Sequence, residues 1–171
     1  CNQCVIHRKN LYSYDPVPAV MVKKFHDSGL KCYYPMIVES NLLANNCGML
    51  YEVSKPVVGV FGTSSRQGKW SLQKRIQEIL TCRGYNVGHL GTEPHAKLFA
   101  NTEICAIGFN SIVNSSQTST IATINYLMHK LGRDNDIIIF GAQSNTVQAS
   151  FGGLATIPML THELICACEP Q

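Results

Sequence analysis

The chain has 171 residues, 45% hydrophobic and 15% charged, with a net charge of +3 and a pI near 8.4. That much apolar material supports one buried core plus a piece of a second domain. The basic residues are scattered, which argues against a nucleic-acid groove, and no run reaches the roughly 18 apolar residues of a membrane span. No signal peptide precedes the first strand, so the expectation is a soluble, cytoplasmic protein with neither nucleic acid nor membrane as partner.

The first ~55 residues differ in texture from the rest. Cys1-Asn2-Gln3-Cys4 has CxxC spacing, but Cys32 and Cys47 do not supply the second close pair of a zinc site. The eight cysteines are expected to be reduced, with Cys82, Cys105, Cys166 and Cys168 packing as small apolar residues. A labile metal or redox role stays open for the terminal pair. Asp15-Pro16 is read as the start of a helix to about Ser28, with Val17, Met21, Val22 and Phe25 on one face and Gly29 as the stop. Leu30 to Tyr34 reads as a short strand, and a brief helix is expected around Asn41–Asn45. This part reads as the tail of an α/β unit whose first half is absent.

From Lys55 onward strands and helices alternate. Val57–Phe61 is the first strand, Gly62–Gly68 a loop, and Lys69–Arg83 a helix with Leu72, Ile76, Ile79 and Leu80 as its core stripe. Gly84 caps that helix. Asn86–Leu90 is the next strand, followed by a short helix at His95–Ala100 and a strand at Ile104–Ile107. A long helix, Thr118–Leu131, carries Ile121, Ile124, Leu127, Met128 and Leu131, and Asp136–Phe140 is a continuous apolar strand. Strands apolar on both faces predict an α/β domain with a mostly parallel sheet between two helix layers. Because the chain stops at Gln171 just after an apolar helical stretch, the sheet is expected to be incomplete at the C-terminus.

The richest segment is Gly62-Thr63-Ser64-Ser65-Arg66-Gln67-Gly68-Lys69. A buried strand, a loop with glycines at both ends and a lysine, and then a helix together make an anion cradle. Loop amides point into a hollow, the helix N-terminus adds partial positive charge, and the ammonium reaches the outer phosphates. The loop has one residue more than the usual spacing. Trp70 stands where a Ser or Thr hydroxyl would meet Mg²⁺, with Ser71 one place later.

Ligands of parallel sheets sit at the carboxyl ends of the strands, which brings Gly62–Lys69 together with Gly91–His95 and Gly141–Thr146. Glu93 is either a metal-holding carboxylate or an exposed loop acid. His89 lies inside a strand and is read as a core or edge histidine, whereas His95 is read as a cap for the following helix. Gln143, Ser144, Asn145 and Thr146, and likewise Asn110-Ser111, are candidates to hydrogen-bond phosphate or substrate, with turn chemistry as the plainer alternative. Phe140 stands where an acid would order a metal's water shell.

With these residues in hand, the chain resembles a dethiobiotin-synthetase-type P-loop domain. That group's loop reads G-T-x-x-x-x-G-K-T, which Gly62-Thr63 to Gly68-Lys69 follows until Trp70, and Gly84-Tyr85-Asn86-Val87 is similar to its second strand. The stretch Val57–Pro170 resembles the C-terminal P-loop domain of the D-glutamate N-acetyltransferase-like family, long called a domain of unknown function, through Gly141-Ala142-Gln143-Ser144. Gly91-Thr92-Glu93-Pro94 is also similar to a branch found beside radical-enzyme peptide-maturation systems. The resemblance implies an N-terminal Rossmann-like remnant and linker over residues 1–55 and a truncated P-loop domain over 56–171.

It further implies a nucleotide-binding protein, with ATP or another nucleotide held by Gly62, Thr63, Ser64, Ser65, Arg66, Gln67, Gly68, Lys69, Trp70 and Ser71. Lys69 and Glu93 would be catalytic, Ser71 and Glu93 the remaining Mg²⁺ contacts, and Gln143 and Ser144 would orient the substrate. The expected activity is ATP-dependent activation of a carboxylate or amine on a small metabolite or peptide, with a peptide substrate, a modifying enzyme or a second copy as partners. Two alternatives stay open: a non-catalytic degenerate P-loop partner, or an acyltransferase-like domain that binds coenzyme A without Mg²⁺.

Overall fold

The computed structural model describes residues 1–34, 49–64, 66–107, 117–142, 146 and 159–169. Two compact units make up the chain, Cys1–Met36 and Ile37–Gln171. The first holds α1 (Asn2–Ile6), β1 (Leu11–Tyr12), α2 (Ala19–Asp27) and β2 (Cys32–Tyr33). Its strands pair in parallel, Leu11 opposite Cys32, with α2 as the crossover between them. A two-residue strand is too short to leave a period in the sequence.

Helix α2 begins four residues after the expected Asp15 start. Pro18 is its N-cap, at φ −53° and ψ 138°, and a proline ring disfavours helical geometry in the residue before it, here Val17. Val17 and Phe25 are buried nonetheless. Gly29 stops the helix as expected, at φ +69°, a left-handed position that glycine takes without Cβ strain.

The second unit runs β3 (Val57–Val60), α3 (Lys69–Cys82), β4 (Val87–Gly91), a 3₁₀ turn (Pro94–Leu98), β5 (Thr102–Ile104), α4 (Gln117–Asp134), β6 (Ile137–Gly141) and α5 (Met159–Cys168). Its strands form one parallel sheet in the order β3-β6-β4-β5. Strand β5 lies two residues earlier than the apolar run Ile104–Ile107 suggested. The brief helix expected at Asn41–Asn45 lies outside the described residues.

Strand side chains alternate between the faces of a sheet, and the two faces meet different helices. Ile138 and Phe140 of β6 and Leu90 of β4 join Ile124, Met128 and Leu131 of α4 and Leu164, Ala167 and Cys168 of α5 in the main core. Ile139 and Val87 face the other way, onto Ile76 and Leu80 of α3. The stripe expected on α4 therefore holds. That on α3 holds only in part: Leu72 and Ile79 are exposed, and the position facing the sheet is taken by Gln73.

Asn125 of α4 ties the core to the segment before β3. Its carboxamide accepts the Tyr51 N–H at 2.7 Å and donates to the Tyr51 carbonyl at 2.9 Å and the Ala167 carbonyl at 3.1 Å. The described cysteines are unpaired, and only Cys105 and Cys168 are buried; Cys82 and Cys166 are exposed rather than packed. Burial pushes the Cys105 thiol up to about 12 and the Cys168 thiol higher, which leaves both protonated. Among the described residues no helix is long and apolar enough to cross a membrane.

Candidate functional site

Register fixes which loops meet. Val60 pairs with Gly141, Leu90 with Phe140, and Gly91 with Ile104, so the carboxyl ends of these strands lie level along one sheet edge. A cavity of ≈ 300 Å³ opens there, lined by Arg66–Trp70, Gln73, Thr92, Glu93, His95, Gly141 and Ala142. Thr146 reaches the same edge: its N–H donates to the Gly62 carbonyl at 3.0 Å. The three loops singled out from the sequence do converge.

Between β3 and α3 the chain makes a tight turn. Arg66 (φ 60°) and Gly68 (φ 79°) both take left-handed conformations on either side of Gln67. Gln67 folds back over the loop, accepting the Ser64 N–H through Oε1 at 3.1 Å and donating Nε2 to the Thr63 hydroxyl at 2.9 Å. The Lys69 ammonium donates to the Ser64 carbonyl at 2.7 Å. Burial lowers the Lys69 pKa.

Deeper in the site, Gln73 organises the floor. Its Nε2 donates to the Lys69 carbonyl at 3.1 Å, and its Oε1 lies 2.9 Å from His89 Nε2. A carboxamide oxygen only accepts, so His89 Nε2 carries the proton and Nδ1 is a lone-pair acceptor. That Nδ1 is buried without a hydrogen-bond partner. Desolvation, aided by the Lys74 charge, depresses the His89 pKa from 6.5 to about 3, which keeps the ring neutral. Gly141 permits the arrangement, since a Cβ there would collide with the Gln73 carboxamide.

Trp70 does not point at a metal position. Its indole packs edge-on against His95 at 4.8 Å, His89 at 5.1 Å and Phe99 at 5.5 Å. The Lys74 ammonium lies over both rings, 4.8 Å from the Trp70 centroid and 4.3 Å from that of Phe99. His95 lies inside the 3₁₀ turn, whose N-cap is Glu93, and no side chain caps it. That turn is pinned from behind: Glu103 receives Lys97 at 3.2 Å and Lys130 at 2.9 Å. Burial pushes the Glu103 pKa up, but these two lysines outweigh it and the net shift is downward.

Of the residues expected at the site, Arg66, Gln67, Gly68, Lys69, Trp70 and Glu93 line the cavity. Gly62, Thr63 and Ser64 lie in the loop beside it, and Ser71 is exposed on α3, off the cavity wall. Ser65, Gln143 and Ser144, along with Asn110-Ser111, lie outside the described residues. Among those described, no group of three metal-ligating side chains gathers anywhere. Thr92 and Ala142 fall within the loops the sequence reading brought together, but Gln73 was missed. The one available clue was Gly141, a glycine ending an otherwise bulky strand and so leaving room for a neighbour's side chain.

No family model and no curated protein matches the chain. A solved structure of a DUF1611 family protein from Anabaena variabilis is similar to it, with a TM-score of 0.64 at 14% identity over 98% of this chain. The chain spans less than half of that protein, 46% of its length. At such identity the likeness shows the fold alone. It overturns the resemblance to dethiobiotin-synthetase-type and D-glutamate N-acetyltransferase-like domains, because the structural neighbour bears the DUF1611 name and no family model supports either. The physical reason is that a Gly-rich strand-to-helix turn with a lysine is a local solution to chain reversal and anion binding, so it does not by itself specify a family.

Proposed function

We propose that this chain binds the phosphate groups of a nucleotide or phosphorylated metabolite at the β3–α3 turn, with Lys69 as the principal countercharge. The observation that carries the reading is the meeting of Lys69, Arg66 and the N-terminus of the 14-residue α3 in one cavity at the carboxyl edge of a parallel sheet. The first-turn N–H groups of a helix have no intrahelical partner, and an anion satisfies them. Glu93 and His95, which also line the cavity, suit the polar remainder of the ligand.

The packing of Trp70 favours binding without a tightly held Mg²⁺ over nucleotide hydrolysis. Its indole sits in an aromatic cluster at the position where a metal-binding hydroxyl is expected, and Ser71 faces solvent. ATP, GTP and the pyrophosphate of coenzyme A are all compatible with this chemistry, whereas ATP-driven activation of a carboxylate or amine needs a metal supplied by the ligand itself.

Calorimetry with ATP, GTP and acetyl-CoA, each with and without Mg²⁺, tests the reading. Binding of at least one ligand should weaken by about tenfold or more in Lys69→Ala, the loss expected of a charge-assisted contact of about 1.5–3 kcal/mol. Equal affinity in Lys69→Ala, or no binding by any of the three, sinks it.

A further inference from the structure

The cradle is already filled by the chain's own atoms. Gln67 Oε1 accepts the Ser64 N–H at 3.1 Å, a donor that a bound oxyanion would use, and Lys69 Nζ spends a hydrogen bond on the Ser64 carbonyl at 2.7 Å. Gln67 is not merely draped over the turn. Its Nε2 is anchored on the Thr63 hydroxyl at 2.9 Å, and a Cβ on Gly62 would lie only 2.7 Å from Gln67 Oε1 and 3.1 Å from Lys69 Cδ. Only a glycine at position 62 lets the carboxamide seat so closely.

The backbone is bent to bring it there. Gln67 stands between Arg66 at φ 60° and Gly68 at φ 79°. Left-handed geometry at Gly68 is easy, but at Arg66 it is disfavoured by its Cβ, so the turn that presents Gln67 is held in an uncommon backbone conformation. Gln67 is exposed and lines the cavity, so among the described residues its carboxamide has room to swing outward.

We propose that Gln67 is an intramolecular plug: its carboxamide oxygen stands in for a phosphate oxygen in the cradle and must leave before phosphate enters. This rests on the phosphate-binding reading above. The plug makes the site selective, since a ligand must offer more than one neutral oxygen offers. A polyphosphate recruits the Ser64 amide and the Lys69 ammonium together, whereas a single weak acceptor does not repay the two contacts Gln67 gives up.

The test is calorimetric titration of the intact chain with inorganic tripolyphosphate, in the wild type and in Gln67→Ala, Gln67→Glu and Lys69→Ala. Removing the plug spares the ligand the cost of breaking about one net hydrogen bond, so Gln67→Ala should bind about 3- to 10-fold tighter. Gln67→Glu should bind at least tenfold more weakly, because a seated carboxylate claims Lys69 and repels the ligand. Binding that depends on Lys69 but is unchanged or weaker in Gln67→Ala overturns the plug alone. No binding in any variant overturns the phosphate reading and the plug with it. Gln67 is exposed, so thermal melts of the variants should match the wild type and rule out misfolding as the cause.

Discussion

The two faces of the second unit's sheet are built on different terms. Under α4 and α5 lies a continuous apolar cluster of Val57, Leu90, Cys105, Ile124, Met128, Ile138, Phe140 and Leu164. Under α3 the fully apolar set shrinks to Val60, Val87 and Ile139, and the space toward the carboxyl edge is filled by Gln73, His89, Trp70 and Lys74. One face stabilises the fold chiefly through apolar burial, with Asn125 of α4 as a buried polar group satisfied by three hydrogen bonds. The other face carries polar groups that are stable only in particular positions, one of which, His89 Nδ1, is left unpaired. Such a polar layer is costly to keep and easily disturbed. Its position beneath the cavity is consistent with retention for a role other than stability.

The sharpest way to break this contrast is Gly141→Ala. The new Cβ overlaps the Gln73 carboxamide, which cannot retreat without losing the Lys69 carbonyl and His89 together. Overpacking plus an unsatisfied buried amide should cost about 2–3 kcal/mol, read as a lower urea midpoint at unchanged slope. A cost under about 0.5 kcal/mol, within the range of ordinary surface changes, would mean that Gln73 has freedom to move and the polar layer is not locked.

Acid probes the same layer. The His89 pKa is depressed in the folded protein to about 3 and returns to 6.5 when unfolding exposes it. The unfolded chain therefore binds a proton the native chain refuses, and stability is present above pH 6.5 and lost as pH falls below it. Between pH 7.5 and pH 5 the loss should approach about 2 kcal/mol, measured by urea titration at both values. His89→Gln should lower stability at both pH values yet remove this slope. A wild-type slope that survives the substitution would assign the acid sensitivity elsewhere.

The sequence made the two faces unequally legible. Helix α4 announced its core stripe because Ile124, Met128 and Leu131 repeat at helical spacing and all three are buried. On α3 the same reasoning chose Leu72, and the structure turns it to solvent while burying Gln73 next to it. Hydropathy cannot find a buried glutamine whose burial depends on a glycine 68 residues away in the chain. The convergence of loops was legible because parallel strands put their carboxyl ends on one edge whatever their side chains. The internal closure of the loop by Gln67 was not, since the residue types of Ser64, Gln67 and Lys69 do not show that they bond one another within the turn.

The smallest expected effect sharpens the contrast from the apolar side. Gly132 lies inside α4, and a Cβ there would meet Lys55 Cγ at 3.5 Å and Ile138 Cδ1 at 3.8 Å, both ordinary contacts. No positive φ is required of it. Glycine in a helix interior is less favourable than alanine by about 0.8–1 kcal/mol, so Gly132→Ala should stabilise the chain by about 0.5–1 kcal/mol. The measurement is the shift in urea midpoint against Gly141→Ala in the same buffer. The same methyl group then has opposite signs on the two faces, because α4 meets the sheet with apolar atoms that tolerate a methyl, and α3 meets it with a carboxamide that has nowhere else to go. A destabilised Gly132→Ala would show the α4 face to be as tightly specified as the α3 face, and the division between them would fail.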